Sequence, residues 1–198
     1  MDNKLTSQDI KDFLLNAYFG DVCDPVYTAA NSAYLDLNRT IEFKKAKNNI
    51  SDEKKSELRQ SCVEIIKSSV LDLSRINTLD KNKYDSWHMN LCESIMSQYC
   101  NDVHFYYGQA QKWINMTMKY LSVIDSSKTE PFFGFLHVPI DSIIIDIASE
   151  ELKLSHPQSR WSRMSKNEYI DYQKQLCSKI EESTGLTPLL WEFRSWNR

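Results

Sequence analysis

Apolar residues along this chain recur at spacings of three and four, the period of a helix that buries one face, and no stretch alternates as a half-buried strand does. Thr6 or Ser7 can cap a first helix carrying Ile10, Phe13, Leu14, Ala17 and Tyr18, and Gly20 can end it. Asp24-Pro25 pairs an N-cap carboxylate with proline at the first helical position, and the apolar series after it predicts a helix to about Lys47. Ser51 opens a third, with Leu58, Cys62, Ile65, Ile66, Leu73 and Ile76 on one side. The polar run from Asp80 to Asp85 reads as a loop before a helix capped by Ser86, and Gly108 opens the next, from Gln109 to Ile124. Pro139 starts one to about Leu152, Ser165 caps one ended by Thr184-Gly185, and Thr187-Pro188 starts a short last one. The pattern predicts an all-α protein of about eight helices, folded as one domain over residues 1–198.

Composition narrows this further. Only four Gly and five Pro leave too few tight turns for a sandwich or barrel, and 198 residues suffice for a real core. The start is polar, and the most apolar windows are too short to span a bilayer. Five scattered Cys with no Cys-x-x-Cys read as reduced thiols. The expectation is a cytoplasmic protein with no membrane partner. A net charge of −3 excludes a chain that is basic throughout, but the acidic excess is local. Residues 1–104 hold 13 Lys+Arg against 16 Asp+Glu, and residues 105–198 hold 11 of each.

Three segments could carry chemistry. His88-x-x-x-Cys92 and Cys100-x-x-x-His104 are paired potential zinc ligands, but on one continuous helix the two Cys lie about 12 Å apart. Buried thiols beside interfacial histidines account for them more simply, and no metal or other cofactor is called for. In the segment from Gly108 to Tyr120, Ala110, Ile114, Thr117 and Leu121 share one helix face, bordered by Trp113. Lys112, Asn115 and Lys119 share the opposite one, which is either an ordinary solvated surface or the wall of a cleft where an amine works. Downstream, Asp141 sits in the first turn of an apolar helix rich in Ile. The helix dipole alone could account for it, and so could a partly desolvated acid at the mouth of a cleft.

A helix opened by Gly with an early Lys, then a loop, then a helix opening with Asp resembles the catalytic arrangement of the helix-hairpin-helix DNA glycosylases, and most of all the compact archaeal-type 8-oxoguanine glycosylases. The similarity covers residues 107–147; the Gly-x-Gly hairpin of that family is not present, and Gly108 stands alone in its place. The resemblance implies an enzyme that excises a damaged or modified base, with Lys112 as nucleophile on C1′ and Asp141 stabilising the sugar cation. Such chemistry would serve genome repair or attack on modified foreign DNA. A flipped base needs a lined pocket. Trp113, Asn115, Tyr107, Gln109 and His137 are the expected substrate contacts, with Tyr106, Phe132 and Phe133 as further wall candidates.

A DNA partner also needs cations. The segment 153–166 holds Lys153, His156, Arg160, Arg163 and Lys166 with no acid, and Trp161 lies between the two Arg. It is the expected backbone contact. The run from Lys44 to Lys55 is interrupted by Asp52 and Glu53 and reads as surface, and the C-terminal stretch from Arg194 to Arg198 is a weaker basic-aromatic candidate. The rival expectation is a non-catalytic helical interaction protein, in which Lys112 is surface, Asp141 only begins a helix and the aromatics are core.

Overall fold

Side-chain caps fix where most of the helices begin. Thr6 accepts from the Asp9 amide while Asp9 returns a bond to the Thr6 amide, and Gly20 ends that helix at φ +73°, where a side chain would be strained. Asp24, Ser51, Asp80, Asp141 and Ser165 each accept a backbone N–H from the first turn they precede. In a computed structural model, residues 4–46, 49–76 and 78–196 are described. They form α1 (Ser7–Phe19), α2 (Pro25–Leu35), α3 (Asp52–Leu73), α4 (Lys81–Tyr99), α5 (Tyr107–Ile124), α6 (Ser142–Leu152), α7 (Lys166–Thr184) and α8 (Pro188–Ser195), with short 3-10 turns between them and no strand among the described residues. The all-α expectation of about eight helices holds. Among the described residues, no helix is long and apolar enough to cross a membrane.

Three boundaries differ from the sequence pattern. The second helix stops at Leu35, well short of Lys47, which lies outside the described residues. Leu37 and Ile41 remain buried, but on a 3-10 turn where the Thr40 hydroxyl takes the Leu37 carbonyl. α4 begins at Lys81, not Ser86. Its first turn faces solvent and carries a Lys81–Asp85 pair, which hides the helical period although Tyr84 is fully buried. The third is α6, which begins after Asp141 rather than at Pro139. Residues 138–140 lie outside any helix beside α5, where the Gln111 side chain occupies both the N–H and the C=O of Ile140.

α5 is the axis of the molecule. α2, α4 and α7 pack around it and bury 15 of its 18 residues, including both faces of the amphipathic pattern. Trp113 is fully enclosed and donates its indole N–H to the Ala30 carbonyl at 2.9 Å. Gly108 is demanded by packing. A Cβ there would lie 1.9 Å from the Trp161 carbonyl oxygen, and the Gly108 amide bonds Met164 O at 3.1 Å. The N-terminal end of α5 is thereby locked to the turn Trp161–Arg163. α1 is the opposite case: none of its residues is buried, and Phe13, Leu14 and Tyr18 stand largely in solvent.

Candidate functional site

Lys112 and Asp141 meet. Lys112 sits on the second turn of α5, one turn after the glycine contact, and its Nζ lies 2.7 Å from Asp141 Oδ2. Asp141 Oδ1 accepts the Ile144 amide at 2.9 Å, so one carboxylate caps α6 and holds the amine. Asp141 thus begins its helix as a cap and also lines the cleft beside Lys112. The solvated-face alternative for Lys112 is not: its side chain is 5% exposed.

The alignment of the two groups rests on Gln111. Its Nε2 donates to Ile140 O and Gly108 O, each at 2.9 Å, and its Oε1 accepts from Ile140 N and from Asn115 Nδ2. Every polar valence of the amide is used, as burial in a dry interior requires. The clamp fixes the residue before Asp141 to the residue before Lys112.

The pair lies in a cleft of about 470 Å³ between α2, α5 and α6, also lined by Asp36, Arg39, Met116, Lys119, Tyr120 and Trp196. Three acid–base partnerships converge there. Lys119 Nζ reaches Glu192 Oε1 at 2.7 Å, and its ammonium lies 4.9 Å from the Trp196 ring centre. Asp36 receives the Tyr120 hydroxyl at 2.9 Å. Burial raises the Asp36 carboxyl above the ordinary range, against the pull of the Tyr120 hydroxyl and the two lysines. Burial likewise raises Glu192, with Lys119 opposing.

The expected substrate contacts lie elsewhere. Trp113 is core. Gln109 ties Tyr106 N to Thr40, and Tyr107 packs on the Tyr169 ring at 5.5 Å. Asn115, one turn on from Lys112, bonds to α4 and α7 instead of lining the cleft and is the hub of a buried network. It accepts from His88 Nε2 and donates to the Tyr169 hydroxyl, each at 2.9 Å. His137 accepts from that hydroxyl and donates to Asp85 Oδ1, again at 2.9 Å, facing a separate cavity of about 510 Å³ between α4 and α7. None of these five residues lines the Lys112 cleft, and neither do Tyr106, Phe132 or Phe133. Helical projection groups residues by azimuth, but α5 has neighbours on several sides, so its faces serve different compartments.

Burial shapes the charge states of that network. Burial holds the His137 and His88 imidazoles below their ordinary range, with Asp85 opposing in each. The Asp85 carboxyl is raised by partial burial, yet hydrogen bonds from His137 and Lys81 outweigh this and hold it at about 2. Cys92 lies 3.8 Å from His88, whereas Cys100 is exposed, and no three metal-ligating groups gather among the described residues.

The 153–166 segment is largely neutralised. Lys166 pairs with Glu93 at 2.6 Å, Arg163 pairs with Glu42, and Lys153 caps the Glu150 carbonyl. Arg160 is exposed without an ion-pair partner among the described residues, and Trp161 is half-buried against the core. No residue of this segment lines the cleft. Of the C-terminal candidate, Trp196 does, and Arg198 lies outside the described residues.

Sequence reasoning had already set Lys119 on the face of Lys112, two turns on. Asp36, Arg39 and Tyr120 it missed, and for Asp36 and Arg39 the only cue is the docking of α2 and the turn after it on α5. No protein family, curated protein or solved structure matches this chain.

Proposed function

We propose that this chain is a DNA glycosylase-like enzyme that excises a damaged or modified base, with Lys112 as the amine nucleophile and Asp141 as its proton partner. The observation that carries this reading is the 2.7 Å contact between a nearly buried amine and a carboxylate in an open cleft.

An ammonium has no lone pair to attack with, so the amine must first give up a proton, and Asp141 Oδ2 is placed to take it. The free amine then bonds C1′ of the sugar as the C1′–N bond breaks, and the base departs with that electron pair and a proton. Positive charge that builds on the sugar during this step faces the Asp141 side of the cleft. Loss of a second proton from the bound nitrogen lets its lone pair open the C1′–O4′ bond. The product is an iminium between Lys112 and the sugar, with O4′ leaving as a hydroxyl. Tyr120, Trp196 and Met116 offer the apolar and aromatic surfaces an extruded base stacks on.

Borohydride reduces such an iminium and makes the link permanent. An abasic-site duplex incubated with the protein and borohydride should give a covalent adduct that Lys112→Gln abolishes. Absence of adduct, together with no base release from normal or modified duplexes, overturns the reading.

One observation favours a non-catalytic interaction protein instead. Leu5, just before α1, and Phe13, Leu14 and Tyr18 on it are mostly exposed, and grouped exposed apolar side chains mark interaction surfaces. That reading predicts no adduct from any duplex and a loss of self- or partner association in Phe13→Ser.

A further inference from the structure

In the 153–166 segment Arg163 and Lys166 are paired with carboxylates, and the fold brings its Arg160 and Arg163 to a second group of charges. Arg39 lies on the 3-10 turn Asn38–Thr40, lines the cleft that holds Lys112, and has no ion-pair partner among the described residues. Lys44 and Lys45 follow on the turn Phe43–Lys45, both exposed. The Gln109 amide anchors Thr40 at 2.8 Å, which fixes this stretch of chain beside the start of α5. On the other side of the same helix end, Gly108 fixes the turn Trp161–Arg163 by direct backbone contact. The two turns touch: Arg163 reaches Glu42, which also holds Lys45 at 2.7 Å.

Two runs more than a hundred residues apart in sequence thus form one rim. Arg39, Lys44, Lys45, Arg160 and Arg163 share it with the carboxylate of Glu42, which two of them already use. Arg39, Lys44 and Arg160 keep their charge unpaired among the described residues. The rim begins at the mouth of the cleft and runs along the N-terminal end of α5, so a polyanion bound to it passes the opening above Lys112. A surface of this kind suits a phosphodiester backbone, where charges are spaced regularly and contacts need no base identity.

We propose that the rim from Arg39 through Lys44 to Arg160 and Arg163 is the backbone track that brings a DNA strand to the Lys112 cleft. This rests on the glycosylase reading for the identity of the polymer. It departs from the sequence pattern, which put the track on residues 153–166 alone and read Lys44 as plain surface.

The test is the salt dependence of binding to a fluorescent abasic-site duplex, with melting temperature as a folding control for each variant. Removing one phosphate contact lowers the slope of log K against log salt by about 1. Arg39→Ala and Arg160→Ala are each expected to do so, and the double variant to lose about 2. Lys166→Ala, whose charge is engaged by Glu93, should leave the slope as it is. A folded Arg39→Ala/Arg160→Ala protein with wild-type slope overturns the track, as does wild-type protein that binds no DNA. Borohydride adducts read on the same samples separate the two ideas. Unchanged slopes with an adduct remove the track alone, and lowered slopes with no adduct from the wild type remove the lysine chemistry alone.

Discussion

α5 and α1 look alike as amphipathic helices and end in opposite conditions. In α5 even the polar face is enclosed, and Gln111, Lys112 and Asn115 each find a partner there. In α1 the apolar face is left in solvent. Amphipathic pattern reports which residues could share an environment, and the number of neighbouring elements decides what that environment is. A polar side chain trapped in α5 must be matched atom for atom, whereas one on α1 answers to water.

The contrast breaks or sharpens under substitution. Asn115→Leu strands the His88 Nε2–H and takes one of two partners from the Tyr169 hydroxyl and from the Gln111 carbonyl oxygen, so the protein should lose about 1–3 kcal/mol in a denaturant titration. A loss below about 1 kcal/mol would mean that water or rearrangement replaces the hub. Gly108→Ala should cost about 1–3 kcal/mol through overpacking against the Trp161 backbone, and it should loosen the turn Trp161–Arg163 in hydrogen exchange.

Acid is the next lever. His88 and His137 both titrate lower folded than unfolded, so below the ordinary range of about 6.5 the unfolded chain binds protons that the folded one refuses. Stability should therefore be full above about pH 6.5 and fall on acidification by up to about 1.4 kcal/mol per pH unit for each histidine. Melts from pH 7.5 to 5 check this, and a flat profile contradicts the buried neutral pair. The smallest expected effect is in α1: Phe13→Ser should stay within about 0.5 kcal/mol, since little is buried there to lose. A larger cost would show that α1 packs more tightly than its exposure implies.

The helical class and most boundaries were legible because caps are local. Asp24-Pro25, Ser51, Ser165 and the two glycine stops act through residues three or four apart. The Lys112–Asp141 pairing was legible only through its resemblance to a catalytic arrangement, not through spacing. The rest of the cleft was hidden, because Asp36 and Arg39 approach α5 through the tertiary docking of α2. His137 misled for the converse reason. It lies four residues before Asp141, but the non-helical residues between them carry the chain past α5, so the two side chains face different cavities.

The Gln111 clamp has a consequence for how this chain can vary in length. It grips Ile140 by main-chain atoms, so the grip itself excludes only proline, which has no N–H to offer, while the fully buried Ile140 side chain answers to the core. Registration of Asp141 on Lys112 is counted from that grip and not from the preceding loop. Insertions among residues 125–135 should leave the pair aligned, whereas one extra residue between Ile140 and Asp141 would move the carboxylate out of reach while leaving the fold in place.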